Sequence, residues 1–152
     1  MAKKITMKIT DLAYKISTKE LGNLEKDLID LYYRELFEKQ LYTKQCHLFE
    51  TEIRGVFNHL IEQEEEHSFL LKIILSNAGI EVNELLDIKN LKQYANICDT
   101  IKYDINQEKL SAQSYEKTIN RTNSKKLKQL LGHILTEEYK HIGVLQAYLS
   151  ER

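Results

Sequence analysis

Proline is absent from all 152 residues, and glycine occurs only five times. These are the residues that interrupt helices and shape tight turns, so a chain this poor in both is expected to be nearly all helix. Its length is that of one domain, enough to bury a real core. With 22 basic and 23 acidic side chains the net charge is −1, which gives no electrostatic reason to bind nucleic acid or an anionic membrane. No apolar run approaches the roughly 20 residues of a bilayer span. The start, Met1-Ala2-Lys3-Lys4-Ile5-Thr6, lacks the apolar core of a signal peptide. Cys46 and Cys98 form neither a disulfide framework nor a CxxC motif, so a reducing cytoplasm is the expected setting.

Apolar residues recur at spacings of three and four from Leu21 onward, the mark of helices with one buried face. Ser17 and Glu20 form a capping box, which predicts a first long helix from near residue 18 into the forties. A second carries Ile53, Phe57, Leu60, Leu71 and Leu75 and stops near Asn77-Ala78-Gly79, where Gly79 suits the position after the C-cap. Residues 80 to about 93 read as a long connection of weak helical character. A third helix follows through Ile97, Ile101, Ile105, Ala112 and Ile119. After the polar turn 120–124 a fourth runs from Leu127 through Tyr148. Residues 1–16 read as an arm or a short helix, and 17–152 as an all-α four-helix bundle of two antiparallel hairpins joined by a long crossover.

The apolar stripes are interrupted in a repeated way. The inward series on the second helix reads Ile53, Phe57, Leu60, Glu64, His67, Leu71; on the fourth it reads Leu127, Leu131, Ile134, Glu138, His141, Leu145. A glutamate and a histidine three residues apart point the same way, one turn apart, and can ligate one metal ion. Unpartnered, a buried carboxylate costs several kcal/mol or takes up a proton; a divalent cation removes that difficulty. On the first helix Glu25 precedes Tyr32 by seven residues, and on the third Glu108 precedes Tyr115 likewise. Glu20, Glu35 and Glu38 lie close enough to Glu25, and Glu116 to Glu108, to be alternatives. Seventeen glutamates and five histidines give about half of one Glu-x-x-His by chance, so two copies at mid-stripe are specific. Glu65 and Glu66 read as an outward charge run, and the competing reading puts Glu64 and His67 in that run.

The pattern resembles the ferritin-like di-iron carboxylate proteins, which include bacterioferritins, rubrerythrins and related oxidases. The resemblance spans roughly residues 20 to 150 and is sharpest at 134–142 and 60–67. It implies terminal ligands at Glu25 and Glu108, bridging ligands at Glu64 and Glu138, and one histidine per iron at His67 and His141. It places Tyr32 and Tyr115 beside those ligands, and Glu137 behind a ligating histidine, with Gln63 as its counterpart. Glu65 occupies the place of the bacterioferritin haem methionine, so no haem is expected. Eleven residues follow His141, short of the extra helix of a storage cage. No paired CxxC motif marks a rubredoxin domain, and the additional rubrerythrin glutamate falls at Ser111. His133, two turns before His141, is a candidate iron-entry ligand.

Carboxylates and imidazoles suit two iron ions, with manganese the other candidate. The expected function is a non-haem di-iron ferroxidase using O2 or hydrogen peroxide. The alternatives are a rubrerythrin-like peroxidase or a hydroxylase retaining iron as cofactor, and, in another class, a metal-free structural bundle or an iron-storage oligomer. The expected partners are Fe(II), the oxidant, an electron donor and, from the resemblance, a second copy of the chain in a homodimer or larger homo-oligomer, with no nucleic acid or membrane.

Overall fold

The computed structural model describes residues 2–49, 51–84, 91 and 94–151, with side chains from residue 8 onward except 51 and 52. Six helices account for nearly all of it: α1 (Ala2–Lys15), α2 (Thr18–Leu21), α3 (Glu25–Leu48), α4 (Thr51–Asn77), α5 (Ile97–Arg121) and α6 (Lys125–Ser150). No strand occurs among the described residues.

The ends of these helices follow from local chemistry. The Ser17 side chain accepts from the Glu20 amide, and Glu20 accepts in return from the Ser17 amide at 2.8 Å. That capping box starts α2 and not a long helix, which corrects the expected continuous helix from residue 18. At Gly22 the backbone turns to φ 56°, a conformation that glycine adopts without strain, and α3 begins after Leu24. The expected stop of α4 is present. Gly79 has φ 76°, its amide donates to the Ser76 carbonyl, and the Ile80 amide donates to the Leu75 carbonyl at 2.9 Å. Asn96 and Ser124 cap α5 and α6 through their side chains. Most of the connection 80–93 lies outside the described residues.

Two apolar clusters fill the interior. One gathers Leu28–Leu36 of α3, Leu70–Leu75 of α4, Tyr115 of α5 and Leu127–Ile134 of α6. The other gathers Tyr42 and Cys46, Ile53–Leu60, Ile101 and Ile105, and Ile142 and Leu145. Helices α3 and α6 therefore run from the first cluster to the second, and α4 and α5 run back. The two hairpins, α3–α4 and α5–α6, are antiparallel, and α4 ends at the opposite end of the bundle from the start of α5. Helix α1 packs across α4 and α6, adding Ile9 and Ala13 to the first cluster. Asn77 and Lys126 donate to the Tyr14 and Lys15 carbonyls at its end.

At Gly79 an added Cβ meets nothing within 4 Å, so a side chain there has only a backbone cost. Gly79→Ala is expected to lower stability by about 1–2 kcal/mol, read from the urea midpoint of the helical circular dichroism signal.

Candidate metal centre

Between the apolar clusters each long helix turns acidic or imidazole side chains inward at mid-length. Glu35 and Glu38 come from α3, Glu64 and His67 from α4, Glu108 from α5, and Glu138 and His141 from α6; all are buried. Their donor atoms form two groups, Glu35–Glu64–His67–Glu138 and Glu64–Glu108–Glu138–His141, each with its atoms within 4.8 Å of one another. Glu64 and Glu138 belong to both, the geometry of bridging ligands. His67 Nδ1 lies 3.0 Å from Glu138 and 3.5 Å from Glu35. His141 Nδ1 lies 2.9 Å from Glu64 and 3.4 Å from Glu108. The imidazoles face each other with centroids 5.9 Å apart.

The outer oxygens are fixed by phenols. Tyr42 on α3 donates to Glu108 Oε1 at 2.5 Å, and Tyr115 on α5 donates to Glu35 Oε1. The inner atoms, Glu35 Oε2, Glu108 Oε2, both oxygens of Glu64 and of Glu138, and Nδ1 of both histidines, make no well-formed hydrogen bond and have only one another within reach. Buried polar atoms are nearly always satisfied, and a dry set of carboxylate oxygens and imidazole nitrogens is the donor set of a metal centre. These residues fit a pair of divalent cations.

Without cations, protons must relieve the crowding. Burial, then the charges of Glu138 and Glu35, pushes the Glu64 carboxyl well above its usual range. Burial, with Glu35 and Glu108, does the same to Glu138, and burial, with Glu108 and Glu35, to Glu38. Against burial, hydrogen bonding from Glu64 and the charge of His67 hold Glu35 down to about 2. Burial disfavours the charged form of His67, but Glu35 and Glu137 raise it to about 10. Burial lifts Asp104, which Gln45 contacts at 2.7 Å, to about 8. Burial, then Glu108 for Tyr42 and Glu35 for Tyr115, raises both phenols so that they remain donors.

Five of the six predicted site residues, Glu64, His67, Glu108, Glu138 and His141, come together in these groups. Glu25 does not. It is exposed at the first residue of α3, far along the helix from the mid-bundle layer, and Glu35 occupies the place expected for it. Tyr32 likewise packs in the first apolar cluster, and Tyr42 does the work expected of it. The spacing carried the signal twice, since Glu35 precedes Tyr42 by the same seven residues. Glu38, Asp104 and Gln45 lacked any repeated motif. Arg34 was also unforeseen; it donates to Ser111 Oγ at 2.5 Å and to the Gln107 carbonyl at 2.6 Å, and pairs with Glu38 at 3.5 Å. Ser111 in turn donates to Glu38.

A protein-family model described as Rubrerythrin matches residues 31–149, a span that includes Glu35 and excludes Glu25. No curated protein matches the chain.

Two outcomes are expected. Glu35→Ala abolishes binding of a divalent cation while Glu25→Ala leaves it unchanged, read by metal content after dialysis. The second concerns pH. Asp104 sits above its unfolded value of 3.8, at about 8, so its contribution is present below pH 4 and lost as pH rises toward 8. His67, raised above 6.5 to about 10, loses its contribution over that higher window. The metal-free protein is therefore expected to melt at progressively lower temperature from pH 5 to 9. Asp104→Asn should flatten the fall below pH 8, and saturating Mn(II) should reverse it because cations replace the protons.

Proposed function

The chain belongs to the rubrerythrin family, and on that premise we propose that it is a non-haem di-iron oxidoreductase that oxidises Fe(II) with O2 or hydrogen peroxide. The observation that carries this reading is the set of eight donor atoms, six carboxylate oxygens and two imidazole nitrogens, that converge at mid-bundle with only one another for partners. Two iron ions held there would supply the two electrons that reduce peroxide to water. Glu64 and Glu138 reach both positions and keep them close. Glu35 and Glu108 each serve one, with the outer oxygen tied to a tyrosine so that the inner oxygen is already aimed. His67 and His141 complete the two sets. The apolar clusters on either side keep bulk water from the layer.

A purely structural bundle is disfavoured because it crowds those eight atoms together with only buried protons and the two imidazoles to offset the carboxylates. A cavity of about 450 Å³ between α3 and α5 favours a polar reactant over the apolar substrate of a hydroxylase. Arg34, Asp27, Asp30 and Lys117 are among its lining residues, which suits a small polar oxidant or a cation. A peroxidase that retains its iron is the alternative within the same chemistry. The partners in this reading are Fe(II), the oxidant, an electron donor and a second copy of the chain. Cys46 and Cys98 are free thiols, which suits a reducing compartment such as the cytoplasm, and no described helix is long and apolar enough to cross a membrane.

Anaerobic Fe(II) loading followed by O2 or peroxide tests the reading. The parent chain should take about two irons and oxidise them rapidly, while Glu138→Ala and His141→Ala fall to the rate of Fe(II) in buffer. Oxidation by either variant as fast as by the parent would overturn the assignment.

A further inference from the structure

The two hairpins repeat each other around the centre, yet they differ behind the histidines. His67 on α4 turns Nδ1 toward the carboxylates, and its Nε2 lies 3.4 Å from Oε2 of Glu137 on α6. His141 on α6 turns Nδ1 the same way, and its Nε2 meets Oε1 of Gln63 on α4. Each brace sits one residue before the other helix's bridging glutamate, so one backbone arrangement delivers both. Their chemistry is unlike: one is a carboxylate, the other a neutral amide. The carboxylate is also anchored from outside. Glu137 Oε1 lies 2.6 Å from Nε2 of His133, whose side chain is 23% exposed, so His67, Glu137 and His133 form a chain from the centre to the surface.

We propose that Glu137 makes the two metal positions unequal, backing His67 with a negative charge where His141 has only an amide. This rests on the di-metal reading above. With Nδ1 bound to a metal ion, the imidazole carries its remaining proton on Nε2, facing the brace. A carboxylate acceptor draws on that proton and makes the ring a stronger electron donor to the metal; an amide oxygen does so less. Glu137 is a positioning residue in this scheme, acting through His67, and His133 holds its carboxylate in place. The ion held by Glu35 and His67 is the one whose affinity depends on it.

The test is a titration of the metal-free protein with Co(II), followed by visible absorption, with the shifted imidazole N–H resonances in the proton NMR spectrum reporting each histidine. The parent should bind two ions and show two such resonances. Glu137→Gln should weaken one ion by about 10–100-fold, move one resonance and leave the other ion and resonance unchanged. The double variant Glu137→Gln with Gln63→Glu should transfer the tighter binding and the carboxylate-type resonance to the other histidine, a rescue that misfolding cannot imitate. Equal weakening of both ions by Glu137→Gln, or of neither, overturns the inference and leaves the di-metal reading intact. A parent that binds no Co(II) overturns the di-metal reading, and the inference with it.

Discussion

Five glutamates, one aspartate and two histidines share a layer from which water is excluded, and their mutual repulsion is the constraint on which the rest of the structure depends. In a medium of low polarity, like charges a few ångströms apart cannot all persist. The metal-free fold relieves them by keeping protons on Glu38, Glu64, Glu138 and Asp104 while His67 is charged. Cations relieve them better, because each can accept several oxygens at once. The long helices serve this end: a layer kept dry needs an apolar plug on each side, and helices of 24 to 27 residues provide both plugs with the layer between them.

The fold and most of the layer were legible in the sequence for a definite physical reason. A ligand that interrupts an apolar stripe at helical spacing must face inward, so Glu64-x-x-His67 and Glu138-x-x-His141 announced themselves, and the scarcity of glycine and proline announced the helices around them. The first-helix ligand was not fixed by that logic. Glu25 and Glu35 both precede a buried tyrosine by seven residues, and only the depth of the layer along α3 separates them. Depth depends on where α3 starts, and that was hidden by the turn at Gly22, where one residue at φ 56° ended the capping-box helix. Arg34 and Gln45 were illegible because they reach partners on α5, more than fifty residues away in the chain, and Glu38, one of the alternatives to Glu25, was not singled out for the same reason.

The approximate twofold relation between the hairpins explains why such partners meet. Tyr42 reaches Glu108 as Tyr115 reaches Glu35, and on the same axis Ser111 reaches Glu38 and Arg34 reaches Gln107. Glu38 and Ser111 occupy matching places, so at this pair of positions the chain carries an acid on one side of the axis only. Without metal, burial and the charges of Glu108 and Glu35 outweigh the attraction of Arg34 and keep Glu38 protonated. In the proposed di-metal state two divalent cations would match the four charges of Glu35, Glu64, Glu108 and Glu138, and would neutralise the neighbours that repel Glu38. Arg34, 3.5 Å away, would then remain as its counter-ion. In that state the arginine would be the group that favours ionisation of a fifth glutamate beside a centre whose charge is already balanced by four.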